Sequence, residues 1–190
     1  MAHEPAHESD EALIGRFAAG DRGALGELAA RYEVMLLGLC RGLLGGRADL
    51  AMDAVQETWV RVIRSSGGAA GFAGRSSFRT WVYRIAVNQC RTLAERRGRE
   101  ARRQEWDNGS MAVVRPRVGE TAGAGDVAAA VREAVGAMPE AKREVLLLCY
   151  HAGLTHEQAA EVLGIPVGTL KSRLHAALSE LRGTLAQEVV

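Results

Sequence analysis

Strand-type alternation of apolar and polar residues is missing from this chain of 190 residues, so the sequence holds no material for a half-buried sheet. Apolar residues recur instead at three- and four-residue steps, and the expected fold class is all-α. Cysteine is scarce. Cys40, Cys90 and Cys149 are odd in number and far apart, which argues against a disulfide framework or a metal knuckle and marks them as small buried hydrophobes. His3 and His7 are four residues apart, but they share a tail with Pro5 and have no carboxylate at a suggestive distance, so neither metal nor cofactor is expected. An excess of either charge is lacking too. With a formal net charge of +1, no global field draws the chain to nucleic acid, and any such binding must come from charges sorted along it. No run approaches the roughly twenty apolar residues of a membrane span. The N-terminus is acidic without an apolar signal region, and the chain is expected in the cytoplasm.

What is present is concentrated near the C-terminus, in LTHEQAAEVLGIPVGTLKSRLHAALSELR from Leu154 to Arg182. Thr155 and Gln158 have the spacing of a capping box, which starts a helix near Thr155. Gly164 supplies a left-handed closing residue, and Pro166 suits the first position of the next helix. In that second helix Val167, Leu170, Leu174, Leu178 and Leu181 share one side, leaving Thr169, Ser172, His175 and Ser179 opposite, with Lys171 and Arg173 at the borders. Short side chains at the centre and cations at the margins suit a helix entering the major groove, where base edges face the centre and phosphates form the walls.

Upstream, residues 1–11 read as a disordered leader. A short helix carries Leu13, Ile14 and Phe17, and Asp21 caps a longer one with Leu25, Leu28, Tyr32, Leu36, Leu39 and Leu43 on one stripe. A third helix, from about Asp49 to Arg64, is expected to turn Met52, Val55, Trp59, Val62 and Ile63 inward and Asp53, Glu57, Arg61 and Arg64 outward. It ends in the glycine-rich loop 65–77. The fourth, from Phe78 to about Arg103, has two apolar stripes, so only a thin polar strip remains: Arg84, Asn88, Arg91 and Glu95. Its end, Arg96 to Arg103, holds five arginines in eight positions. Residues 105–125 have linker composition, separating a bundle over 12–104 from a helix-turn-helix module over 126–186. Fully extended, that linker spans about 70 Å, comparable with two turns of B-DNA at about 34 Å each.

DAVQETW at 53–59, FRTWVYRIAVN at 78–88 and the C-terminal LGIPVGTLKSRL, in that order, resemble an extracytoplasmic-function (ECF, group IV) sigma factor of bacterial RNA polymerase, in the sigma-70 family. The resemblance covers about residues 12–103 as region 2 and 126–184 as region 4. It implies core RNA polymerase (the β′ clamp helices and the β flap) and promoter DNA as partners, an anti-sigma factor as a further one, and no small-molecule substrate or active site. It sets Asp53, Gln56, Glu57 and Arg61 against polymerase. It assigns Phe72, Ser76, Ser77, Arg79, Tyr83, Arg84, Asn88 and Arg91 to the single strand of the minus-10 element, where unstacked bases must be captured and phosphates held. Trp81 is read as packing. Thr169, Lys171, Ser172, Arg173 and His175 fall to the minus-35 element. The chain departs from the family pattern at Met52, Val87, Thr92, Ala176 and Leu178, where relatives often carry charged residues. A helix-turn-helix regulator working without polymerase is the alternative, but it leaves the glycine-rich loop and the arginine and asparagine strip unexplained. An enzyme is disfavoured, since no motif joins a nucleophile, a base and an orienting group.

Overall fold

The computed structural model describes residues 8–65, 72–107 and 127–188, with 104–107, 127 and 187–188 described by backbone alone. Helices α1 (Asp10–Ala18), α2 (Arg22–Leu43), α3 (Ala48–Ser65) and α4 (Phe78–Asp107) form a first bundle. Helices α5 (Val127–Ala137), α6 (Glu140–Leu146), α7 (His156–Leu163) and α8 (Val167–Glu188) form a second, and α6 continues into a π-helical turn, Leu147–His151. No strand occurs among the described residues, and none of their helices is long and apolar enough to cross a membrane.

Local chemistry sets the helix starts. The Ser9 hydroxyl accepts from the Ala12 amide at 3.2 Å, and the Asp21 carboxylate accepts from Gly23 at 2.9 Å, each satisfying an amide that an N-terminal turn leaves orphaned. Ordered structure begins earlier than the expected leader boundary. Asp10 accepts hydrogen bonds from Tyr32 and from Arg31, and Glu11 accepts from the Phe78 amide at 3.0 Å, fastening α1 to the start of α4. The part of the expected leader over residues 1–7 lies outside the described residues, as do residues 66–71 of the loop and 108–126 of the expected linker.

The inward face of α3 differs from the expected one. Leu50, Ala51, Ala54, Val55, Thr58 and Val62 are buried, whereas Met52 is 63% and Ile63 47% exposed. The small residues decide the face, because Ala51, Ala54 and Thr58 let α3 approach its neighbours closely. Thr58 is accommodated in the core by donating to the Ala54 carbonyl at 2.7 Å. Cys40 on α2 and Cys90 on α4 meet in the same core, and the Cys90 thiol is driven far up in pKa, first by its hydrogen bond with Cys40 and then by burial.

The two bundles share one continuous apolar core running from Leu13 through Leu148 to Ala177. Two glycines on α2 make the close approach possible. A Cβ on Gly38 would lie 2.4 Å from His151 Nε2, and one on Gly42 would lie 2.8 Å from Leu147 Cδ1. The π-helical turn therefore seats its four-spaced Leu147 and His151 on a four-spaced bare strip of α2. His151 Nε2 also lies 3.3 Å from the Met35 carbonyl, and Arg143 caps the C-terminal end of α2 by donating to the Leu43 carbonyl at 3.0 Å.

Candidate polymerase and nucleic-acid interfaces

The C-terminal corner is built as its sequence dictates. Thr155 Oγ1 accepts from the Gln158 amide at 3.2 Å, and Gln158 Oε1 accepts from the Thr155 amide at 3.0 Å, closing the capping box. Gly164 then ends α7 at φ +67°, a conformation that costs a residue with a Cβ. Val167 opens α8 on the far side of the turn, and Leu170, Leu174 and Ala177 anchor it in the core.

That anchoring aims the opposite face of α8 at solvent. Lys171, Ser172 and His175 are exposed, and Thr169 is half-buried, its carbonyl accepting from the Ser172 hydroxyl at 2.9 Å. Lys171 also lies near Glu157, whose carboxyl is held below its usual range by its own backbone amide, then by the Thr155 hydroxyl, with a smaller contribution from Lys171. Arg173 points elsewhere. It joins Arg91, Arg99, Arg102, Glu140 and Glu144 in lining a polar cleft between the bundles.

On the first bundle, α3 exposes Asp53, Gln56, Glu57 and Arg61 together. Among the described residues, neither Asp53 nor Glu57 forms an ion pair. Exposed Met52 and Ile63 flank this acidic face.

Residues expected at the minus-10 strand are divided between surface, core and contact with the second bundle. Asn88 is exposed, and Ser76 and Ser77 are half-buried, Ser77 bonding Thr80 at the start of α4. Tyr83 is buried to 1% exposure, edge-on to Tyr32, and burial raises its phenol pKa. Phe72 packs edge-on against Phe78 and tilted against Trp81. Trp81, assigned to packing, keeps part of its surface open. The three arginines all meet the second bundle. Arg79 donates to the Ala152 carbonyl, and Arg84 donates to the Glu161 carbonyl at 2.9 Å and to its carboxylate at 3.0 Å. Arg91 makes a two-pronged pair with Glu144, at 2.6 and 2.8 Å.

Sequence reasoning missed Glu144 and Glu161. A signal existed for the first: Glu144, Leu148 and Ala152 fall on one line at four-residue steps, and an acid on an otherwise apolar line needs a cationic partner. For Glu161, exposed on α7, there was none.

A capped, glycine-closed corner between two helices, on a two-bundle, all-α chain, defines a helix-turn-helix protein. Residues 28–100 match the family Sigma-70 region 2, and residues 128–181 match Sigma-70, region 4. The chain is 33% identical over 178 residues to the RNA polymerase sigma-H factor of Pseudomonas aeruginosa, covering 90% of each protein. It is 29% identical to the ECF RNA polymerase sigma-E factor of Haemophilus influenzae, covering 89% of this chain and 91% of that one. Among solved structures it is similar to CnrH, determined in complex with the cytosolic domain of CnrY, with a TM-score of 0.70 and 27% identity over 95% of this chain and 99% of the other. The fold is also shared with RpoE of Bartonella quintana, determined with the anti-sigma factor NepR, at a TM-score of 0.63 and 23% identity over 84% of this chain and 97% of that one. The chain belongs to the sigma-70 family, as an RNA polymerase sigma factor of the ECF type.

Proposed function

We propose a division of labour for this sigma factor in which the first bundle (12–104) docks on core polymerase and captures the minus-10 strand, and the second (126–186) reads the minus-35 element. The observation that carries it is the outward strip of Lys171, Ser172 and His175 on a helix fixed by a capped, glycine-closed corner. Asp53, Gln56, Glu57 and Arg61 supply a charged docking face for the β′ clamp helices, and Met52 and Ile63 add apolar area beside it. Arg79, Arg84, Asn88 and Arg91 hold the unpaired strand by its phosphates and base edges, with Phe72, Ser76 and Ser77 at its entry. Tyr83 acts from the core, where its ring supports Arg79 at 6.0 Å. Thr169 stands at the margin of the minus-35 surface, whereas Arg173, turned into the cleft between the bundles, is left out of it. The protein acts in the cytoplasm as an initiation factor without a catalytic step of its own. An anti-sigma factor is a further partner, supported by the likeness to CnrH, whose structure was determined with CnrY.

Reconstitution tests this. The protein mixed with core polymerase should co-elute and start run-off transcripts on cognate genomic fragments. Asp53→Ala with Glu57→Ala should weaken co-elution and make the remainder less sensitive to salt, while leaving the thermal unfolding midpoint unchanged. Core binding equal to wild type at every salt concentration would remove α3 from the interface.

A further inference from the structure

We propose that Glu11 is a positioning residue for minus-10 recognition: from α1, its carboxylate holds the junction at which the glycine-rich loop becomes α4, and so aims the end of that loop at an unpaired base. The inference rests on the strand-binding reading of the junction and adds the residue that fixes it.

A helix leaves its first amides without partners, and those at the start of α4 are met from two places. Ser77 caps locally: its hydroxyl accepts from the Thr80 amide at 3.1 Å, and its carbonyl accepts from the Trp81 amide at 3.1 Å. The Phe78 amide donates instead to Glu11 Oε1 at 3.0 Å, across 67 residues of sequence. A carboxylate is the favoured acceptor there, because its charge opposes the positive end of the helix dipole. The reach of Glu11 is fixed by its neighbours on α1. Asp10 accepts from Tyr32 and Arg31 of α2, and Leu13 and Ile14 are buried in the core. The Phe78 ring is buried as well, edge-on to Tyr32 at 5.6 Å, and it packs in turn against Phe72 at 6.0 Å and Trp81 at 5.9 Å. Backbone and ring of this one residue are thus held by α1 and α2. The side chains proposed to meet the strand stand on either side of it, Phe72, Ser76 and Ser77 before and Arg79 after. Between them Ala73, Gly74 and Arg75 are exposed, and Gly74 turns the chain at φ +66°. The direction of the loop's end is therefore set from the helix junction that Glu11 holds.

Full-length variants assembled with core polymerase test this. The probe is a fluorescein-labelled non-template strand spanning the minus-10 element of a promoter recovered in the run-off experiment, together with its single-base variants. Glu11→Ala should bind the cognate strand about fivefold more weakly, the order of effect of a lost cap on an equilibrium. The single-base variants should be affected less, so that the ratio of cognate to variant affinity narrows. That ratio separates positioning from a mere loss of folded protein, which scales binding to every strand alike. Glu11 is exposed, so its removal leaves no cavity. Glu11→Gln keeps an oxygen acceptor for the Phe78 amide and should restore most of the ratio. Arg16→Ala removes the ion pairs of α1 with Glu8 and Asp21 away from the junction, and should leave the ratio at its wild-type value. A wild-type ratio in Glu11→Ala, or a narrowing of the same size in Glu11→Gln or Arg16→Ala, overturns the positioning role. An Arg84→Ala, Asn88→Ala double variant read in the same assay locates the failure: weakened binding leaves the strand-binding reading standing, and binding equal to wild type on every strand sinks that reading itself.

Discussion

At the scale of single residues, burial has set the chemistry of groups that sequence position alone leaves open. Tyr32 donates to Asp10 from a largely buried ring, and its phenol pKa is pushed far up, chiefly by burial and next by that carboxylate. Tyr83 moves the same way through burial, against the opposing influence of Arg79. Cys90 and Cys149 thiols are raised as well. Each group is harder to ionise folded than unfolded, so its contribution to stability is complete below the unfolded pKa and is lost as pH rises toward the folded one. The unfolded values are about 8.5 for thiols and about 10 for phenols. The urea midpoint should therefore begin to fall near pH 8.5 and fall more steeply past pH 10. Tyr32→Phe should flatten only the second part of that decline, and a midpoint that does not change between pH 8 and 11 would contradict the assignment.

Helix α7 shows what local chemistry contributes to an element. Its eight residues are too few to persist alone, so the capping box at one end and the left-handed glycine at the other determine where it starts and stops. Thr155→Ala should cost about 1 kcal/mol, and Gly164→Ala about 1 to 2 kcal/mol for forcing a Cβ into the left-handed region. Urea unfolding followed by circular dichroism reads both; a Gly164→Ala protein as stable as wild type would show that the corner tolerates another geometry. This element was legible in the sequence because its signals lie within ten residues of one another. Helix α3 was legible in part: its existence followed from periodicity, but a stripe drawn through the largest residues placed Met52 and Ile63 inside, where close packing through Ala51, Ala54 and Thr58 puts them out. For α4 the polar strip could be read, and its partners could not. Arg84 with Glu161 and Arg91 with Glu144 join residues 77 and 53 apart, and nothing local encodes such a pairing. The exposed residues Asp53, Glu57, Lys171 and His175 were legible for the converse reason, since a surface position needs only its own helix to define it.

Over the whole molecule the charge is almost balanced, at +1, so attraction to DNA depends on where cations are displayed. Arg84 and Arg91 are paired with carboxylates of the second bundle, while Lys171 is exposed on α8. Of the cations proposed to meet DNA, Lys171 is thus the one displayed by the C-terminal corner. That display suits a factor that should engage promoters only with polymerase, because duplex contact by one helix supplies few counterions to release and is correspondingly feeble. Within the holoenzyme the same helix gains from tethering, and each of its cations becomes measurable. Lys171→Ala should weaken holoenzyme binding to a cognate duplex across sequences and reduce the log-log salt slope by about 0.9, the loss of one phosphate contact. His175→Ala, removing a side chain at the centre of the strip, should instead leave that slope in place and relax discrimination at one position of the minus-35 element. Filter binding from 50 to 300 mM salt on a set of single-base promoter variants separates the two. An unchanged slope for Lys171→Ala would return that residue to the solvated surface and leave Ser172 and His175 to account for the contact.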